Sequence, residues 1–117
     1  MIEMLEGNAF HLATDGTSYV ICITDTGHAE HIYYGKKLRD VRASLTAIRE
    51  KRYMVQRSAV PVNEDNVEID LNDTLLEFSS EGKGDYRIPL IAASWVESGE
   101  RTIDLRFREA KQGKGVK

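Results

Sequence analysis

The sequence predicts an all-β fold, an antiparallel β-sandwich with little helix, and three observations predict it. Residues 17–24, Thr-Ser-Tyr-Val-Ile-Cys-Ile-Thr, concentrate the β-branched and aromatic residues that suit a pleated surface. Two later runs alternate apolar with polar: Val67, Ile69 and Leu71 share one side, and Ile103, Leu105 and Phe107 share another. Short turn signals, Thr14-Asp15-Gly16, Asp25-Thr26-Gly27 and Ser98-Gly99, separate the runs. About six strands with short connections fit two packed β-layers.

The elements follow in order. Residues 1–7 are acidic and lack the basic start of a signal peptide. Phe10-His11-Leu12-Ala13 forms a short first strand. Residues 17–24 carry apolar groups on both faces, which places that strand centrally. Residues 29–34, Ala-Glu-His-Ile-Tyr-Tyr, return as its hairpin partner, and Gly35 breaks the run. Within residues 36–52, Leu38, Val41, Leu45 and Ile48 fall at helical spacing, so residues 36–66 are expected to hold a long loop or a short helical excursion. Residues 53–66, with Pro61, form a polar connection long enough to reach toward something. Residues 67–71 are a strand, and Asn72-Asp73 can cap one turn after it. Residues 88–97, carrying Trp95, and residues 102–108 are the last two strands, and residues 110–117 form a frayed tail.

Composition narrows the function classes. A chain of 117 residues has room for one domain, here residues 1–117. With 41% hydrophobic and 30% charged residues, it has a globular composition. Its formal charge of −3 gives no global pull toward nucleic acid. The cations Lys36, Lys37, Arg39, Arg42, Arg49, Lys51 and Arg52 lack interleaved aromatics other than Tyr53, and acids crowd the next stretch, so a solvated face is expected there. No run approaches the roughly 20 apolar residues that span a bilayer. The chain reads as cytoplasmic, with no membrane or nucleic-acid partner. Cys22, the one cysteine, lies in an apolar run and reads as a buried structural thiol.

Candidate chemistry is sparse. His11, His28 and His31 show no metal-ligand spacing, so no metal site is expected. Gly82-Lys83-Gly84 has the wrong spacing for a phosphate loop, and no cofactor is expected. Tyr33, Tyr34 and Trp95 offer aromatic faces that suit a sugar ring, although packing in the core or between sheets is the preferred reading. The segment around Gly82, Gly84, Asp85 and Arg87 reads as an anchored turn. Two close glycines suit backbone at positive φ, Pro89 keeps Ile88 extended, and Asp85 and Arg87 point to the same side of an extended chain.

That same segment carries a resemblance. Gly82-Lys83-Gly84-Asp85-Tyr86-Arg87, followed by Pro89, resembles the Gly-x-Gly-Asp-Phe-Arg-x-Pro segment in the N-terminal β-domain of family 36 α-galactosidases. Further pieces resemble that domain in the same order: Phe10-His11-Leu12, residues 17–20, Gly27-His28, residues 31–36, residues 71–75 and residues 99–107. The likeness runs from about Phe10 to Lys114.

The resemblance implies that the chain is the opening part of a larger β-supersandwich, in a fragment of a longer enzyme. The two catalytic aspartates of that family sit on a separate (β/α) barrel, so this chain is expected to hold no catalytic residue. Hydrolysis of terminal α-galactosides, such as melibiose and raffinose-type sugars, belongs by the resemblance to the whole enzyme. The implied partners are the rest of the chain, with its barrel, and further copies in a homo-oligomer. The resemblance also implies a loop that reaches a neighbouring subunit's sugar site through an aspartate-arginine pair. Lys51 and Arg52 fall at those positions, and Glu50 meets the aspartate only with a one-residue slip. Lysine donates to a hydroxyl but cannot accept from it. Two other readings stand beside this one: a stand-alone carbohydrate-binding sandwich, and an interaction module that self-associates through open strand edges.

Overall fold

The structure, a computed structural model, describes residues 1–50, 74–81 and 87–114, with the backbone only for 46–50. Four strands, β1 (Ile2–Leu5), β2 (Ala9–Ala13), β3 (Thr17–Ile23) and β4 (Ala29–Lys36), form one antiparallel sheet in sequence order. This is the all-β class that the sequence predicts. The β-branched run of β3 lies between two partners, where a ladder on both sides satisfies its backbone.

Burial in β3 alternates strictly. Ser18, Val20 and Cys22 are buried, while the residues between them are half-buried. Their ladder partners Ala9, His11 and Ala13 on β2 face the same way. On this side Leu5, Ala9, Val20, Cys22, Ile32 and Val41 form the core, with Tyr33, Leu38 and Leu45 packed against it. Cys22 is fully buried.

Helix α1 (Val41–Glu50) caps this core. Asp40 starts it: Ala43 N donates to Asp40 Oδ1 at 3.2 Å, and Ser44 Oγ donates to the Asp40 carbonyl. Leu38, Val41 and Leu45 lie three and four positions apart, so they share one side and meet the sheet together.

Two features of β4 depart from a plain strand. Val20 pairs with Tyr33 and Ile21 with His31, so Ile32 is an extra residue. The bulge turns both Ile32 and Tyr33 onto the core side. Gly35, expected to break the strand, instead pairs with Ser18 inside it. The reason is steric: a Cβ at Gly35 would lie 2.8 Å from the Tyr33 hydroxyl. The missing side chain leaves room for the Tyr33 ring, whose hydroxyl donates to the Lys36 carbonyl at 2.8 Å.

Other expectations need correction. Residues 2–5, not assigned from sequence, pair with β2 through four rungs. Residues 88–97 were expected as a strand, yet their only pairing among the described residues is a single parallel bridge between Ile91 and Ser80. A tight turn closes over 96–98, with Gly99 N donating to the Trp95 carbonyl, and Ile88 and Val96 are almost wholly exposed. Without a neighbouring ladder, β propensity alone does not hold a strand. Residues 102–108 form no ladder among the described residues. Ile103 N bonds the Glu81 carbonyl and Phe107 N the Gly27 carbonyl, while Leu105 is exposed. The strand expected at 67–71, its cap at 72–73 and the polar connection at 53–66 lie outside the described residues.

Candidate functional site: the open face of the sheet

The side of the sheet opposite α1 is set by the same register. Ile2 pairs with Leu12, Met4 with Phe10, Leu12 with Tyr19, and Tyr19 with Tyr34. Ladder partners project to one side, so these six side chains make one apolar surface. Ile2, Met4 and Tyr34 remain exposed, at 43%, 55% and 71%. Ile2, Leu12, Thr17, Tyr19 and Tyr34 line a depression of about 320 Å³ on it. Apolar groups left in water forgo about 1.5–3 kcal/mol each relative to burial. A contiguous patch of them marks a surface that something covers.

Two polar junctions frame this face. At one end Phe107 packs on Phe10, with ring centroids 6.0 Å apart. A chain of polar groups secures Phe107's segment. Thr24 Oγ1 lies 2.9 Å from Thr26 Oγ1, Thr26 Oγ1 lies 2.8 Å from His28 Nδ1, and His28 Nε2 lies 2.7 Å from Asp104 Oδ1. Arg106 Nε donates to the other Asp104 oxygen at 2.8 Å. Burial pushes the Asp104 carboxyl up, but the bonds from His28 and Arg106 and their nearness outweigh it, and the net direction is down. Gly27 makes the turn beneath Arg106 at φ +87°, a left-handed backbone that favours glycine, while a Cβ there would make only ordinary contact, 3.5 Å from Arg106 Cβ.

At the other junction, residues 75–77 extend the sheet beyond β4. His31 N donates to the Leu75 carbonyl and Glu77 N to the Ala29 carbonyl. This places the Glu77 carboxylate 3.1 Å from His31 Nδ1. Tyr19 lies against both His31 and Tyr34, with centroids 5.5 and 5.9 Å away. Burial, then the hydrogen bond to Glu77 and its negative charge, push the Tyr19 hydroxyl up to about 12.

The residues singled out from sequence are distributed unevenly. Glu50 is the last residue of α1, and only its backbone is described. Lys51, Arg52, Gly82, Gly84 and Asp85 lie outside the described residues, while Arg87 is half-buried and has a partner. The aromatic trio is dispersed: Tyr33 packs on the core, Tyr34 stands on the opposite face, and Trp95 is 65% exposed rather than packed inside. Among the described residues no group of three or more His, Cys, Asp and Glu gathers to hold a metal, and no helix is long and apolar enough to cross a membrane. Sequence reasoning missed the His28–Asp104 pair. Its signal was present only as the separate pieces Gly27-His28 and residues 99–107.

The profile of the glycosyl hydrolase family 36 N-terminal domain matches residues 27–117. The chain belongs to this family. The α-galactosidase AgaA of Geobacillus stearothermophilus is 32% identical over 106 residues, which cover 91% of this chain and 14% of that protein. Among solved structures, the family 36 α-galactosidase AgaB of the same organism superposes with a TM-score of 0.76 at 26% identity, covering 93% of this chain and 14% of that one. An AgaA variant in complex with raffinose gives 0.73 at 27% identity, over 87% of this chain and 14% of that one. The chain thus spans about a seventh of the length of these family 36 relatives. The pieces that resemble the family in sequence, Phe10-His11-Leu12, residues 17–20 and residues 31–36, lie on β2, β3 and β4.

Proposed function

We propose that this chain is the non-catalytic N-terminal β-sandwich portion of a cytoplasmic α-galactosidase, acting by packing on a (β/α) barrel and assembling subunits. The open apolar face carries this reading. In a family 36 N-terminal domain, Ile2, Met4, Leu12, Tyr19 and Tyr34 present a surface that the described residues do not cover. The rest of the enzyme is its natural cover. The whole enzyme cleaves terminal α-galactosides of the melibiose and raffinose type by a retaining mechanism with two carboxylates supplied from the barrel. The raffinose bound to the AgaA variant supports that substrate class. Glu50, Lys51 and Arg52 reach a sugar across a subunit boundary in the homo-oligomer, and Gly82, Gly84, Asp85 and Arg87 anchor a structural loop. The basis for both is the residue-by-residue resemblance.

A domain exchange tests the proposal. The chain replaces the matching N-terminal part of AgaA, and hydrolysis of a nitrophenyl α-galactoside is followed together with light scattering. The exchanged enzyme is expected to assemble and turn over, and the 117-residue chain alone to release no nitrophenol. Placing Glu at Met4 and Tyr34 is expected to abolish assembly. Turnover by the chain alone, or assembly indifferent to both substitutions, overturns the proposal.

A further inference from the structure

The core side of the sheet holds a second cavity, of about 260 Å³, where β1 and β2 meet the segment leading into α1. His11 lines it and is 3% exposed. Its Nε2 lies 2.8 Å from Ser18 Oγ, which also accepts the Leu38 N–H at 2.9 Å. Ser18 therefore satisfies every group when its own proton goes to Nε2, and this leaves the ring proton on Nδ1. His11 Nδ1 finds no hydrogen-bond partner among the described residues. Leaving such a donor buried and unpaired is strongly unfavourable.

The Glu3 carboxylate stands close by, with Oε2 3.9 Å from Nδ1. That separation is too long for a hydrogen bond, and it suits one oxygen bonded to both groups. The rest of the lining has mixed charge. Lys37, Arg39 and Arg42 stand against Glu3 and Asp40. Asp40 is engaged at the start of α1, and Arg42 has a partner. An anion arriving at Nδ1 meets the Glu3 carboxylate, and a cation meets the Nδ1 proton and Lys37. A neutral hydroxyl accepts from Nδ1–H and donates to Glu3 at once, while Lys37 and Arg39 serve neighbouring hydroxyls.

We propose that this cavity binds a neutral polyhydroxylated ligand, a sugar or polyol, with one hydroxyl shared between His11 and Glu3. The proposal does not rest on the assembly role argued above, because its evidence is confined to this cavity. It is tested on the 117-residue chain by ¹H–¹⁵N correlation of its three histidine rings. The ligand-free spectrum is expected to show His11 with its proton on Nδ1. Galactose, glucose or glycerol is expected to move the His11 ring signals saturably while those of His28 and His31 stay in place. Glu3→Ala, at an exposed position of the edge strand β1, is expected to weaken binding at least about tenfold, and Arg39→Ala severalfold. His11 signals that stay fixed up to about 100 mM of each compound overturn the proposal in favour of water alone. Movement with inorganic phosphate but not with sugar overturns it in favour of an oxyanion, and an Nε2-protonated ring overturns the shared hydroxyl.

Discussion

His28 and Asp104 stand 76 positions apart, and Nε2 of one lies 2.7 Å from Oδ1 of the other. The contact ties a segment without a ladder among the described residues to the turn between β3 and β4. Both side chains are largely shielded, so each depends on the other for its polar satisfaction.

Removing that contact is expected to be costly. Asp104→Ala leaves a buried His28 nitrogen without its acceptor, at about 1–3 kcal/mol. The pH dependence has a definite sign. The Asp104 carboxyl is held below its ordinary value, so its contribution is present above the unfolded value of about 3.9 and is lost as pH falls through the folded one. Melting temperatures of the parent and Asp104→Ala proteins, measured from pH 6 down to pH 2, are expected to converge toward the acid end. A gap that stays constant through that range refutes the assignment.

The pair Tyr33 and Gly35 makes a prediction about sign. In an ordinary strand, Gly→Ala gains about 0.5–1 kcal/mol. Here the new Cβ meets the Tyr33 hydroxyl at 2.8 Å, and moving the ring out of a packed position costs about 1–3 kcal/mol. Gly35→Ala is therefore expected to destabilise the parent and to stabilise a Tyr33→Ala background. Urea unfolding of the four proteins in this cycle decides it, since additive effects exclude the steric account.

Tyr19 supplies an optical test. It is expected to ionise late, because its hydroxyl is pushed up to about 12. The neutral phenol is the form the fold favours. Stability from this source is therefore complete below about pH 10, the unfolded value, and is lost as pH rises through the folded one. Absorbance at alkaline pH is expected to show a late phase from Tyr19, and Glu77→Gln should bring it earlier. An unchanged titration in that variant would rule Glu77 out as a cause.

Much of the sheet was legible from sequence because local signals agreed. In residues 10–34, alternation, β-branching and Gly-containing turns all point to β2, β3 and β4. β1 was not legible: Ile2, Met4 and Leu5 put apolar groups on both sides of a four-residue run, and only pairing with β2 makes it a strand. Gly35 was misread because the decisive fact is the ring of Tyr33 two residues away. Residues 88–97 were overread because β propensity carries no information about whether a neighbouring strand is present. Of the open face, the apolar residues were visible, but their gathering on one side depends on register across four strands. The cavity at His11 was invisible, since it needs β1, β2 and the approach to α1 together.

The extra residue in β4 has a consequence for how this strand divides its labour. Ahead of Ile32, odd-numbered positions look away from the helix, and His31 goes to Glu77. After it, odd-numbered positions look toward the helix, and Tyr33 and Gly35 go to the interior. A strand in unbroken phase that kept Ile32 would have to surrender one set or the other. Deleting Ile32 would instead leave His31 and Tyr33 adjacent and already bound for opposite sides, so a single missing codon would restore plain alternation, keep both sets and take only the Ile32 side chain from the interior.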